Sequence, residues 1–165
     1  MRLFILRHAD AEAQGTSHDA DRALTPEGIE EAKCVAGAVH AMKLGLTAIL
    51  TSPTARAKAT AELVAAQFPP LEVRPVEQLG PASRPEGLFQ ELRSYPRDSR
   101  ILLVTHKPLI VSLIASLIGM ATESKVGVKK ASLACIDVGS TVQRGSGVLL
   151  WLLTNEQMQL MRKKD

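Results

Sequence analysis

Aromatic residues are scarce: one Trp, one Tyr and three Phe in 165 residues, 3% of the chain. Stacking on nucleic-acid bases needs aromatic platforms, so that mode of binding is excluded. Nor is there a strong excess of one charge. Lys and Arg number 20 against 17 Asp and Glu, a formal net charge of +3, without the one-sided clustering that a duplex binder uses. Cysteine is limited to Cys34 and Cys135, far apart, with no C-x-x-C and no His at metal spacing; both read as buried thiols. The longest apolar stretch, Leu109 to Ala121, is broken by serines and too short to span a bilayer. The N-terminal Met-Arg-Leu-Phe-Ile-Leu-Arg has a brief apolar run and no small-residue cleavage site, so no secretory signal is expected and the cytoplasm is the default location. Neither a Walker-type loop nor G-x-G-x-x-G follows any strand-like run, which excludes nucleotide cradles of those kinds.

What is present is an ordinary globular composition, 45% hydrophobic and 22% charged, of a length that suits one domain over residues 1–165. Strand-length apolar runs occur at Leu3 to Leu6, Ala48 to Leu50, Leu71 to Val73, Ile101 to Val104, Leu133 to Val138 and Val148 to Leu153. Most are continuous rather than alternating, as in strands buried on both faces. Helical patterns lie between them, from Pro26 to about Lys43, Pro53 to Gln67, Pro85 to Tyr95 and Pro108 to Leu117. The order β-α-β-α-β-α-β-α-β-β predicts an α/β sandwich with a mostly parallel sheet of about six strands. The long polar connection from Ala9 to Thr25 leaves the C-terminal end of the first strand, where open α/β sheets place their ligands.

Helix N-termini carry partial positive charge, so acidic residues belong in the first turn and basic ones oppose it. The first helix obeys this rule: Thr25 can cap it, Pro26 opens it, and Glu27, Glu30 and Glu31 follow. The third obeys as well, with Pro85 and Glu86. The second and fourth do the opposite. Arg56 falls near the start of the second, with no acid before Glu62, and His106-Lys107 precede the fourth, while the first strand ends in Arg7-His8. Three crossings on one sheet edge thus gather Arg7, His8, Arg56 and His106. Clustered cations beside positive helix ends repel one another unless an anion sits among them, and phosphate matches the bidentate geometry of Arg.

Neutral imidazole attacks phosphorus and can carry a covalent phosphoryl group. Surrounding cations disfavour protonation of His8, so its ring is expected to stay neutral and nucleophilic near pH 7. Arg7, Arg56 and a protonated His106 would hold the phosphoryl oxygens. No metal-ligand cluster is evident among the scattered acids, and neither a metal nor another cofactor is expected.

Leu6-Arg7-His8-Ala9-Asp10-Ala11, Arg22-Ala23-Leu24-Thr25-Pro26-Glu27-Gly28, Thr51-Ser52-Pro53 with Arg56-Ala57-Lys58-Ala59-Thr60, and Thr105-His106-Lys107-Pro108-Leu109 together resemble the histidine phosphatase (phosphoglycerate mutase-like) superfamily. With its short middle segment the chain is most similar to the SixA-type phosphohistidine phosphatases. The resemblance implies a phosphoglycerate mutase-like three-layer α/β/α sandwich, His8 as phosphorylated nucleophile, Arg7 and Arg56 as phosphate-binding arginines, and His106 as the second histidine. Arg22 matches an additional arginine of the SixA-type members. Ser52 is read as a helix cap and nothing more.

Two positions depart from the family. Ala9 stands where Gly is usual, so the backbone there either needs no positive φ or follows an altered path. The larger relatives carry a Glu general acid in the middle segment, and here Glu77, Glu86 and Glu91 have no signature marking one of them for it. Imidazole, with a pKa of about 6.5, departs far more readily than an alkoxide. The expected substrate is therefore phosphohistidine on a partner protein of the histidine-phosphotransfer type. The alternatives are a small phosphorylated molecule, with one of those glutamates as acid, or a phosphate-binding module without catalysis. No nucleic-acid or membrane partner is expected, and a monomer is favoured. Lys125, Lys129 and Lys130 read as a solvated basic loop, and Arg162-Lys163-Lys164 as a frayed tail.

Overall fold

Leu3 to Leu6 offer no polar face, so a strand built from them must be covered on both sides. In the computed structural model, which describes residues 1–15, 18–121, 126–139 and 141–162, they form the middle of β1 (Arg2–Arg7) and are fully buried. Along the chain follow α1 (Pro26–Ala41), β2 (Ala48–Thr51), α2 (Ala55–Ala65), β3 (Val73–Pro75), α3 (Pro85–Leu92), β4 (Arg100–Thr105), α4 (Leu109–Leu117), β5 (Leu133–Val138), β6 (Gly147–Leu153) and α5 (Asn155–Arg162). Short 3-10 turns occur at Asp19–Asp21 and Glu77–Leu79. The expectations for Lys125, Lys163 and Lys164 lie outside the described residues.

The strands form one sheet in the order β3-β2-β4-β1-β5-β6. β1, β2, β3 and β4 pair in parallel, and β5 is antiparallel to both β1 and β6. Side chains alternate across the sheet, dividing the core in two. Phe4 and Leu6 pack with Ala32, Val35 and Val39 of α1, Ala57 and Ala61 of α2, and Met158 of α5. Leu3 and Ile5 pack on the other face with Leu88 and Leu92 of α3 and Ile110, Leu113 and Leu117 of α4. This is the expected three-layer α/β/α sandwich. Cys34 and Cys135 are both free and buried.

Three expectations fail for identifiable reasons. β3 begins at Val73, two residues later than Leu71, because Leu71 closes a turn onto the carbonyl of Phe68. At the sheet edge, three residues ending in a proline suffice. β6 is not buried on both faces: Val148, Leu149 and Leu150 are exposed on the opposite edge strand. The apolar run alone could not distinguish a central strand from an edge strand. α5 was not predicted: of its three apolar residues only Met158 is buried, while Leu160 and Met161 are exposed. Its start was nevertheless readable as a reciprocal capping pair. Gln157 N–H donates to Thr154 Oγ1 at 3.3 Å, and Thr154 N–H donates to Gln157 Oε1 at 2.8 Å.

No helix among the described residues is long and apolar enough to cross a membrane.

Candidate active site

β1, β4 and β2 end level with one another, Arg7 opposite Thr105 and Thr51 opposite Val104. The next residues therefore emerge side by side. His8 N–H donates to the Thr105 carbonyl at 3.0 Å, and Ser52 N–H to the Val104 carbonyl at 2.9 Å. The structure thus brings His8 and His106 together, with ring centroids 5.0 Å apart and planes tilted by 58°, both rings buried.

The two rings are held differently. Nδ1 of His8 lies 2.7 Å from the carbonyl oxygen of Ala9. A carbonyl can only accept, so Nδ1 bears the proton of the neutral ring and Nε2 keeps the lone pair. Nε2 of His106 sits 2.6 Å from Ser52 Oγ and 3.3 Å from Thr54 Oγ1, while its buried Nδ1 has no hydrogen-bond partner. Ser52 is thus a direct partner of His106 and, contrary to expectation, does not cap α2. Thr54, at the N-cap of α2, makes no side-chain cap bond.

Arg7, Arg22 and Arg56 all act electrostatically on His8. Arg7 donates through Nη1 to the Val128 carbonyl at 3.0 Å. Arg56, buried in the first turn of α2, donates through Nη1 to the backbone carbonyl of Asp19 at 2.5 Å and through Nη2 to Asp19 Oδ2 at 3.1 Å. Arg22 reaches the same carboxylate, with Nη2 2.8 Å and Nε 3.0 Å from Oδ1, and Nη1 donates to the Glu12 carbonyl at 2.6 Å. Nε of Arg7 and Nε of Arg56 are buried without a partner. Asp19 was not singled out from the sequence; its one signal was an acid three residues before Arg22 in a long polar connection.

The backbone around His8 is held from several directions. Ala9 N–H donates to Thr60 Oγ1 at 3.2 Å, and Asp10 N–H to Glu31 Oε2 at 2.7 Å. Thr25 caps α1 as predicted, accepting from Gly28 N–H at 3.0 Å. Its hydroxyl also donates to Asp10 Oδ2 at 2.7 Å. Gly28 permits this approach, because a Cβ there would stand 1.9 Å from the Asp10 carbonyl oxygen. Ala9 is fully buried and does not have a positive φ, so its replacement of the family glycine costs nothing in backbone strain. Lys130 pairs with Asp10 and Lys129 with Glu156. Both belong to local ion pairs and are not a free basic patch.

Burial is the main influence on both histidines. It pushes the pKa of His8 down to about 4; the Ala9 hydrogen bond works against it, and Arg56, Arg7 and Arg22 reinforce it. The neutral His8 expected from the cations is therefore present, with desolvation as the larger cause. His106 is pushed down to about 3, by burial first and then by His8 and Arg56, with Asp19 pulling the other way. In the ligand-free site His106 is therefore not the protonated ring expected to hold phosphoryl oxygens. A buried ring beside a second imidazole and an arginine is neutral at pH 7.

Glu77, Glu86 and Glu91 are not brought to the histidines by any hydrogen bond or ion pair among the described residues. Glu91 pairs with Arg74, and Glu86 lines a separate cavity of about 320 Å³ with Arg84, Ser112, Ser116 and Arg144. Among the described residues, no three His, Cys, Asp or Glu side chains converge as a possible metal site.

A histidine with a free Nε2 lone pair, ringed by guanidinium groups at the ends of parallel strands, is suited to receive a phosphoryl group. Residues 3–80 match the model of the histidine phosphatase superfamily (branch 1). The chain is 26% identical to phosphohistidine phosphatase SixA of Escherichia coli, over 93% of this chain and 94% of that protein. It is also 29% identical to an uncharacterised protein of Picosynechococcus sp., over 97% of this chain and 99% of that one. A solved structure of the protein histidine phosphatase SixA complexed with tungstate superposes with a TM-score of 0.82 at 25% identity, covering 94% of this chain and 97% of the other. These similarities support a phosphatase activity.

Proposed function

We propose that the chain removes the phosphoryl group from a phosphohistidine on a partner protein, through a covalent intermediate on Nε2 of His8. The observation that carries the reading is the pinning of His8 Nδ1 to the Ala9 carbonyl in a buried, cation-lined site, which leaves Nε2 as an unprotonated nucleophile. Arg7, Arg22 and Arg56 bind the phosphoryl oxygens. The buried Nε groups of Arg7 and Arg56 gain most from doing so, since an unpaired buried donor costs about 1–3 kcal/mol. His8 attacks phosphorus, the bond to the partner's imidazole breaks, and that ring leaves neutral if it already carries a proton. Water then attacks phosphoryl-His8, and inorganic phosphate leaves. As the dianion arrives it raises the low pKa of His106, turning that ring into a donor positioned by Ser52 and Thr54.

The preference for a P–N bond follows from the acids at hand. Among the described residues Asp19 is the carboxyl group bound directly to these arginines. Although desolvation opposes it, the hydrogen bonds from Arg22 and Arg56 hold its pKa below the usual carboxylate value. An ionised Asp19 has no proton to give to a departing alkoxide, whereas a phosphohistidine ring already protonated on its other nitrogen departs as neutral imidazole and needs none from the site. The arginines supply the positive charge, so the reaction needs no metal ion. The test is turnover on a phosphohistidine-bearing protein against turnover on an alkyl phosphate. A ratio of at least about 100 is expected, the lower bound of what a missing general acid costs. Activity should survive exhaustive chelation, and acid-labile phosphate should be trapped on the native chain and absent from His8→Ala. Comparable turnover on both substrates would overturn the reading.

A further inference from the structure

Each terminal nitrogen of Arg56 already donates to Asp19, one to its backbone carbonyl and one to its carboxylate. The other carboxylate oxygen is taken by Arg22. A single anion thus bridges two of the three arginines assigned to the phosphoryl group, much as two phosphoryl oxygens would. The partners differ in freedom. The Arg56 side chain is 4% exposed and fixed in α2, whereas the Asp19 side chain is 48% exposed and stands on a three-residue turn. When an anion enters, the carboxylate can swing toward water and the guanidinium cannot.

We propose that the Asp19 carboxylate is a resident anion of the phosphate pocket, and that a phosphoryl group binds by exchanging with it between Arg22 and Arg56. This rests on the assignment of the arginines to phosphate made above. The exchange raises the threshold for every anion equally. Monoanions with little to gain beyond what Asp19 already supplies are kept out, while a dianion that also engages Arg7 and the buried Nε groups clears the threshold. The same carboxylate returns as inorganic phosphate leaves, which favours release of product. Asp19 is a specificity-determining residue in this scheme and takes no part in bond making.

Removing the charge leaves the backbone carbonyl contact to Arg56 in place, so Asp19→Asn and Asp19→Ala test the carboxylate and not the anchoring of the arginine. Binding of tungstate and of inorganic phosphate to the full chain is measured by calorimetry for the native protein, both variants and Arg56→Ala, with melting temperatures to verify folding. Exchange predicts that both ions bind at least about tenfold more tightly to each Asp19 variant, the scale of a charge-assisted hydrogen bond. It also predicts that KM and kcat fall together as product release slows. An affinity that weakens, or changes by less than about twofold, overturns the exchange and makes Asp19 a brace for the arginines or a bystander. If the native chain binds neither ion and Arg56→Ala makes no difference, the phosphate site itself fails, and the exchange with it. Binding that depends on Arg56 but ignores Asp19 sinks the exchange alone.

Discussion

The start of α1 and the starts of α2 and α4 face the same edge of the sheet and are built on opposite principles. At α1, Thr25 caps the helix, Glu27 lies in the first turn, and Gly28 lets the helix press against the backbone of Asp10. Every local choice there favours folding. At α2 no side chain caps the helix, no acid lies in the first turn, and a buried arginine occupies it. At α4 there is again no side-chain cap, and His106, just before the helix, is buried with an unpartnered Nδ1. Local stability is given up where the cations are needed, and the neighbouring helix start is well made because it supports the strand end that carries His8.

The largest expected break in this contrast is Arg56→Ala. Removing a charge that stabilises the transferring phosphoryl group should lower kcat/KM on phosphohistidine by about 10³-fold. The Tm should fall by no more than a few degrees, because the residue lost opposes the dipole of its own helix. Steady-state kinetics and a thermal melt on the same preparation check both halves; a large loss of stability with activity retained would reverse the assignment.

Next in size is the effect of pH. With native pKa values of about 4 and about 3, His8 and His106 are neutral above pH 6.5 in the folded and unfolded states alike and contribute nothing there. Below pH 6.5 the unfolded chain takes up protons that the native one refuses, so stability falls as pH drops toward 4. The loss is roughly 3 kcal/mol for His8 alone by proton linkage. Urea unfolding at pH 7 and pH 4.5 should show it, and His8→Asn should remove the His8 share while that of His106 remains. Nε2 of His8 is unprotonated throughout that window, so the acid limb of activity is expected below pH 5.

Gly28→Ala probes the well-made helix start. The added methyl meets the Asp10 carbonyl, and the shift needed to relieve it should cost about 1–3 kcal/mol in denaturant melts. It should also reduce kcat, because Asp10 is two residues from His8. The smallest effect is expected from Thr25→Ala: loss of the cap should lower stability by about 1 kcal/mol. A drop in kcat/KM larger than a few-fold would show that the capped helix start takes part in the chemistry and that the contrast is too sharply drawn.

Much of this was legible along the chain. Continuous apolar runs marked β1, β4 and β5, and Thr25-Pro26 marked the start of α1 to the residue. Arg7, His8, Arg56 and His106 stood out because a cation at a helix start is a local anomaly. Other features left weaker traces. α5 hangs on Met158, with Leu160 and Met161 left exposed, and so short a mostly polar segment shows no clear apolar face. Ser52 was read as a cap because a serine before a helix usually is one; only the approach of His106 gives it a second partner.

The sequence by itself determined the alternation of strands and helices and the kinds of residue standing at each strand end, because both depend on neighbours a few positions apart. Only the tertiary structure decided that Asp19 lies between Arg22 and Arg56, that Ser52 meets His106, and that His106 is neutral. The first two depend on strand register and on the path of a long connection, which bring together residues 37 and 54 positions apart. The third depends on how completely the fold removes water from a ring, which is a property of the packed site as a whole.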